Sequence, residues 1–334
     1  MKDKLKKLSL IFMVAILLTG CTKQLTTKNS TGKLENVTVE GFTLTANILC
    51  QPTNEKVIKA YETNKPVDKD GKEIDYKTLP KCEEFKVTSG GYEGLWTTIF
   101  VKPLAWFIVK IAVILKNIGL SGGIASGLAL ILATLIIRLV LLPFTKKTAM
   151  QSELLKQAQP ELAKIEKKYQ NAQDKETLMK KSQETMIVYK KYNINPTSSC
   201  LFAFIQLPLL IAFFEAINRI PLLFEGTFLG MKLGTTPLYG ITHGQILYII
   251  LVIIIGLATF FSFKLNGGAA SQPEMQSQMK IMSIVMVVII IISSLNFSTA
   301  IAIYWITSST MTIIQNLVVK KRRSSKWKYM NLKE

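Results

Sequence analysis

Ile131-Leu132-Ala133-Thr134-Leu135-Ile136-Ile137-Arg138-Leu139-Val140-Leu141-Leu142-Pro143 sets a single arginine inside an otherwise apolar run. A helix apolar all round has no face to offer water and belongs inside a protein core or a bilayer. The next basic residue, Lys146, comes eight positions after Arg138. A boundary drawn there leaves the arginine about 12 Å inside, at 1.5 Å per residue. Insertion scales put a central arginine at about +2.5 to +3.5 kcal/mol, and no acidic residue stands near it in sequence. Either its long side chain snorkels to the inner headgroups, or it faces a hydrated cavity that other helices help to line. Polar residues elsewhere in the chain favour the cavity.

Working outward, apolar runs occupy residues 123–143, 198–217, 238–263, 281–296 and 298–319, in a chain of 334 residues that is 49% hydrophobic. Each is of a length to cross about 30 Å of hydrocarbon or nearly so. The expected fold is an all-α polytopic membrane protein with five transmembrane helices, a cytoplasmic helical hairpin and an N-terminal interfacial amphipathic helix.

The N-terminus reads as a targeting segment. Lys2, Lys4, Lys6 and Lys7 precede an apolar stretch from Leu8 to Leu18, and Leu18-Thr19-Gly20-Cys21 follows. That tetrapeptide looks like a lipoprotein processing box: residues 1–20 form the signal peptide, and the Cys21 thiol is the lipid attachment point. The mature N-terminus is then outside. Residues 21–91 are polar and read as a small or partly ordered outer tail, with a short strand at best around Asn36–Glu40. Cys50 and Cys82 fall in it, where a disulfide is chemically permitted. Cys200, at the edge of an apolar run, reads as a packing residue.

Residues 92–118 carry Trp96 and Trp106 on an apolar side, while Lys102, Lys110 and Lys116 recur at near-helical intervals and Pro103 interrupts. This reads as a helix lying in the interface with its lysines snorkelling to headgroups. The rival, a true span, would reverse everything downstream. Residues 119–320 form the five-span core and residues 321–334 a basic tail.

Charge tests the orientation. The chain is formally +19, and the lysines crowd into residues 144–197 and into the tail, as Lys320, Lys321, Arg322, Arg323, Lys326 and Lys328. The loop 219–237 has only Arg219 and Lys232. By the positive-inside rule the lysine-rich segments are cytoplasmic, which agrees with an outside N-terminus.

Within the loop, Met150, Leu154, Ala158, Leu162, Ile165 and Tyr169 recur at three- and four-residue steps. Leu178, Met179, Met186, Tyr189 and Tyr192 continue after a polar break, giving a helical hairpin over 146–195. Pro160 is expected to break or kink the first arm.

Polar groups inside the spans define a candidate substrate groove. Thr134 lies one turn from Arg138; Ser199 and Gln206 lie two turns apart in the second span. Ser298, Ala302, Trp305, Ser309, Thr312 and Asn316 share one face of the last. The groove is assigned to Arg138, Thr134, Gln206, Trp305 and Ser309. Gly123 to Gly127 reads as helix packing, and Glu215 with Arg219, four apart, as an interfacial pair. Nucleotide-loop and zinc-helix motifs are missing, and His243 is the sole histidine. No enzyme activity, cofactor or metal is therefore expected.

The order of several short motifs resembles the YidC-type membrane protein insertase family over roughly residues 92–320. In the loop and second span these are Gln159-Pro160-Glu161-Leu162, Lys168-Tyr169, Tyr189-Lys190-Lys191-Tyr192-Asn193-Ile194-Asn195-Pro196, Cys200-Leu201 and Ile205-Gln206-Leu207-Pro208. The arginine span and Ile303-Tyr304-Trp305-Ile306-Thr307-Ser308 with Ile314-Gln315 are similar to the family's pattern. The lipobox and five spans resemble its Gram-positive lipoprotein branch. Ser199, Ser298 and Ser309 depart from the usual glycine, proline and asparagine.

The resemblance implies a groove open to cytoplasm and lipid, with Arg138 as its positive centre. It implies nascent membrane proteins as clients, with the general secretion channel and membrane lipids as further partners. The basic tail is a candidate ribosome contact, since ribosomal RNA is polyanionic; binding anionic lipid is the other reading of the same charges. An anion transporter or channel, with Arg138 as the anion site, is the alternative function.

Overall fold

A computed structural model describes residues 22–66, 73–170, 174–195, 198–266 and 273–331, with side chains described outside 198–205, 266–283 and 322–331. The signal peptide and Cys21 lie outside the described residues. The chain divides into two compact units. One comprises the N-terminal part through Thr134, Leu207–Ile253 and Ser293–Trp305; the other comprises Leu135–Gln206, Ile254–Ile292 and Ile306 onward.

In the first unit the polar N-terminal segment is a folded body rather than a tail. Strands β1 (Thr26–Lys28) and β2 (Leu34–Asn36) pair antiparallel, as do β3 (Thr38–Val39) and β4 (Phe42–Thr43). Helix α1 (Glu55–Asn64) starts where the Asn54 side chain accepts the Lys56 amide. Its buried Val57 and Tyr61 join Leu25, Phe42, Leu44, Ile48 and Phe224 in a small core. Alternation was too short in any one strand to announce this. Phe224 completes the core from far along the chain and stacks on Phe42 with ring centroids 4.5 Å apart.

Cys50 and Cys82 are joined by a disulfide across a sequence separation of 32. Closing a loop of that size restricts the unfolded chain by about 3 to 4 kcal/mol on the chain-entropy scale. Replacing both cysteines by serine should lower the opening free energy of this body by about 3 kcal/mol. Amide exchange in β1–β4 and α1 would then accelerate, with the helices at Ile246–Asn266 and Thr299–Asn331 unaffected.

The segment expected to lie in the interface begins with buried Trp96, passes through a π-helical turn at Thr97–Val101 and continues as α2 (Lys102–Asn117). Pro103 does not interrupt it: the proline stands in the first turn, where its missing N–H is tolerated. The lysines are not all snorkelling, either. Lys102 is buried and donates to the carbonyls of Ser89 and Gly91, at 2.8 and 2.9 Å. Lys116 pairs with Glu83 at 2.6 Å.

Helix α3 (Gly122–Val140) follows. Here Gly123 and Gly127 pack against a β-hairpin, not a helix. A Cβ on Gly123 would come within 2.1 Å of the Thr227 carbonyl oxygen, and one on Gly127 within 2.3 Å of the Phe228 ring. In the second unit α4 (Leu142–Lys168) and α5 (Lys175–Lys191) pack on each other around Ala158, Leu162 and Val188. Pro160 does not break α4, which runs unbroken through it. Ala158 and Leu162, buried on either side of the proline, outweigh the one backbone bond it forgoes.

The expected second-arm stripe is also corrected. Leu178, Met179 and Met186 are exposed, as is Met150 on α4, while Val188, Tyr189 and Tyr192 make the contact. Lys181–Glu166, Lys168–Glu184 and Lys191–Glu161 pairs flank it.

Helix α6 (Ser198–Arg219) leads to the short α7 (Pro221–Phe224) and the hairpin β5 (Thr227–Phe228)–β6 (Met231–Lys232). The run expected at 238–263 is two helices, α8 (Pro237–Thr242) and α9 (Ile246–Asn266), parted at His243 and at Gly244 with φ 75°. Helix α10 (Pro273–Ser294) and α11 (Thr299–Asn331) complete the chain. The basic tail continues α11 without a turn between them. Among the described residues, Thr97–Asn117, Gly122–Val140 and Ile246–Leu265 are each long and apolar enough to cross a membrane.

Candidate functional site

Arg138 lies in the last turn of α3, where the helix's carbonyl end favours a cation. It is 7% exposed. Its Nη2 donates to Gln206 Oε1 on α6 at 2.9 Å and to Ser308 Oγ on α11. Side chains from three helices thus meet at one guanidinium, and Gln206 and Ser308 are both neutral.

Polar pairing continues along the second unit from that point. Thr312 donates to the Ser308 carbonyl, Thr145 Oγ1 donates to Gln315 Oε1 at 2.9 Å, and Thr148 donates to the Thr145 carbonyl. Deeper in the hairpin's base, Lys156 donates to the Leu265 carbonyl at 2.7 Å. Burial holds its ammonium below the usual lysine range.

Sequence reasoning assigned Arg138, Gln206 and Ser309 to one groove without pairing any of them; the structure bonds Arg138 to Gln206, and to Ser308 rather than Ser309. Ser309 is itself buried. The missed signal was present: Ser308 is three after Trp305 and four before Thr312, so it shares their face as fully as Ser309 does. Thr134 is buried and donates to the carbonyl of Leu130, one turn back on its own helix, at 2.7 Å. Thr134 and Trp305, the latter half-buried, belong to the first unit. Ser199's side chain lies outside the described residues.

Glu215 and Arg219 do not form the expected pair. Glu215 accepts from Trp96 Nε1 at 3.0 Å. Arg219 instead donates from Nη2 to both carboxylate oxygens of Glu93, at 2.7 and 2.6 Å, and from Nε to the Asn47 carbonyl. Four-residue spacing made the Glu215 pairing available, but a carboxylate from outside the helix has the better geometry. Glu40 makes a second cross-link, between Lys232 and Lys56, and those bonds hold its carboxyl below the ordinary range. Of the tail, Lys320 and Lys321 are exposed; the side chains of Arg322, Arg323, Lys326 and Lys328 lie outside the described residues. Among the described residues no cluster of three or more His, Cys, Asp or Glu is placed to hold a metal.

A mostly helical chain with three helices long and apolar enough to cross a membrane, one of them carrying a buried arginine in its last turn, is of the class of helical membrane proteins. The chain belongs to the 60Kd inner membrane protein family, whose model matches residues 118–326. A relative from Oceanobacillus iheyensis named membrane protein insertase YidC is 35% identical over 238 residues, covering 70% of this chain and 87% of the relative. Membrane protein insertase MisCA of Bacillus subtilis is 33% identical over 225 residues, 67% of this chain and 79% of that one. Membrane protein insertase YidC 2 of Bacillus anthracis is 34% identical over 229 residues, 68% and 82% respectively.

Proposed function

We propose that this chain inserts newly synthesised membrane proteins into the bilayer and assists their folding, through a hydrophilic groove centred on Arg138 and open to cytoplasm and lipid. The observation that carries this is a buried guanidinium bonded to Gln206 and Ser308, on helices whose other faces are apolar. A client's short polar tail enters the groove, an acidic residue on it is drawn to Arg138, and its apolar segment slides out against the helices.

Each Leu or Ile then contributes about −0.3 to −0.6 kcal/mol on entering lipid. The membrane potential adds about 2.3 kcal/mol per 100 mV for each negative charge carried outward. These terms suffice without a nucleotide, a cofactor or a catalytic step. The decisive experiment reconstitutes the protein in liposomes and follows a single-span client with an acidic N-terminal tail by protease protection. Protection above that of empty liposomes is expected; solute flux without insertion would overturn the reading.

In this proposal five helices span: α3, α6, α9, α10 and α11. Cys21 carries the lipid outside, and the hairpin and C-terminus are cytoplasmic. The segment 92–118 lies in the outer interface. Its support is that Lys102 and Lys116, about 21 Å apart along a helix, are both tied to the stretch from Glu83 to Gly91. A helix crossing the bilayer would have to draw that polar stretch across with it.

The basic extension of α11 from Lys320 to Lys328 is assigned to ribosome contact. The secretion channel and membrane lipids are the other partners this placement serves. Deleting residues 321–334 should weaken ribosome co-sedimentation and make what remains less sensitive to salt; unchanged co-sedimentation would remove the assignment.

A further inference from the structure

The first unit holds a cavity of about 250 Å³ whose wall joins the N-terminal segment, at Thr22, Gln24 and Thr45, to Asn218 of α6 and Ser298 before α11. Phe214 and Phe297, in edge contact with centroids 5.6 Å apart, make part of its apolar side. Among the described residues, none that lines it carries a formal charge. Two of its hydroxyls, Thr22 Oγ1 and Ser298 Oγ, are buried with no hydrogen-bond partner among the described residues. Ser298 is 4% exposed.

Buried hydroxyls are ordinarily bonded, and one left unbonded keeps the full penalty of its lost hydration. A neutral, partly apolar chamber with two unused donors suits a guest that accepts hydrogen bonds, carries no charge and has a hydrocarbon portion. Ester carbonyls on an acylated glycerol have those properties; a phosphate or a free carboxylate would find no cation. Thr22 is also the residue bonded directly to Cys21, with Cα atoms about 3.8 Å apart across the peptide.

We propose that this cavity receives the ester end of the acylglyceryl group carried on Cys21. The inference rests on the lipid-anchor reading above. Apolar cavities of about 150 Å³ take a benzene-sized guest, so this one accommodates the ester region and the first methylenes, leaving the remaining chain in the bilayer. The lipid then seats the mature N-terminus against α6 and α11 as well as tethering it to the membrane.

The test uses the full chain, expressed in cells that process lipoproteins and fed a fatty acid with a diazirine near its carboxyl end and a terminal alkyne. The mass of the Cys21 peptide first establishes the lipid. On irradiation, that lipopeptide should cross-link to peptides containing Phe214–Asn218 or Phe297–Ile301. Ser298→Phe, which fills the chamber, should abolish the cross-link while leaving the Cys21 mass unchanged; Ser298→Ala should reduce it without abolishing it. Lipidated protein that gave neither cross-link, or that cross-linked equally in Ser298→Phe, would overturn the proposal. A Cys21 peptide without lipid would overturn the anchor and the proposal together, and the mass measurement tells the two failures apart.

Discussion

Arg138→Ala should reduce insertion of a client with an acidic N-terminal tail about tenfold or more, with liposome protease protection as the readout. A hydrogen bond to a charged group is worth about 1.5–3 kcal/mol net, which corresponds to roughly a 10- to 150-fold change in occupancy of the groove. Collapse of the fold is not the expected cause. The substitution takes from Gln206 and Ser308 one bond each to a charged donor, about 1.5–3 kcal/mol apiece, and offsets part of that loss by removing a charge that is costly to bury.

A client whose tail acid is changed to its amide separates charge recognition from general damage. It should insert slowly with the wild-type protein and lose little more with Arg138→Ala, so the two changes should be non-additive. Arg138→Lys keeps the charge but replaces the planar guanidinium, whose Nη2 meets Gln206 and Ser308, by a compact ammonium on a shorter stem, and should fall between. Wild-type insertion by Arg138→Ala would leave the groove without its proposed recognition step.

The legible part of the architecture was written in local, periodic signals. Apolar runs announced α3, α6, α10 and α11, and the three- and four-residue steps through Leu154, Ala158 and Leu162 announced the hairpin. Arg138 stood out because of its cost in an apolar run, and Gln206 because it is a polar residue within another span. What stayed hidden depended on residues far apart in sequence. The core of the N-terminal body needs Phe224, and the fate of Arg219 needs Glu93. The bend at His243–Gly244 was concealed because hydrophobicity continues across it while the backbone does not. Pro160 misled in the opposite direction, since a local rule about the missing amide ignored burial on both sides. Ser308 was within reach and was missed only because the stripe was drawn one residue wide.

Removing Glu93 should destabilise the first unit more than any other single truncation of an ion-pair residue described above. Arg219 is 1% exposed and Glu93 33% exposed. The guanidinium cannot turn to water when its partner is lost, and breaking a buried pair from one side costs about 3–5 kcal/mol. Glu93 keeps some solvent contact, so Glu93→Ala is expected at the lower end, about 3 kcal/mol, measured by denaturant unfolding of the purified protein in detergent. Replacing both partners by apolar residues, Glu93→Leu with Arg219→Met, should recover part of that loss, because the two charges of the pair are then removed together.

Glu215 provides the discriminating control. It lies one turn from Arg219 on α6, and its second carboxylate oxygen has no hydrogen-bond partner among the described residues. Glu215→Gln preserves an acceptor for the Trp96 N–H and should cost far less than Glu93→Ala. If the two proved equally damaging, the helix-internal pair that the four-residue spacing suggested would be the one that holds Arg219, and the cross-link to the N-terminal segment would be incidental.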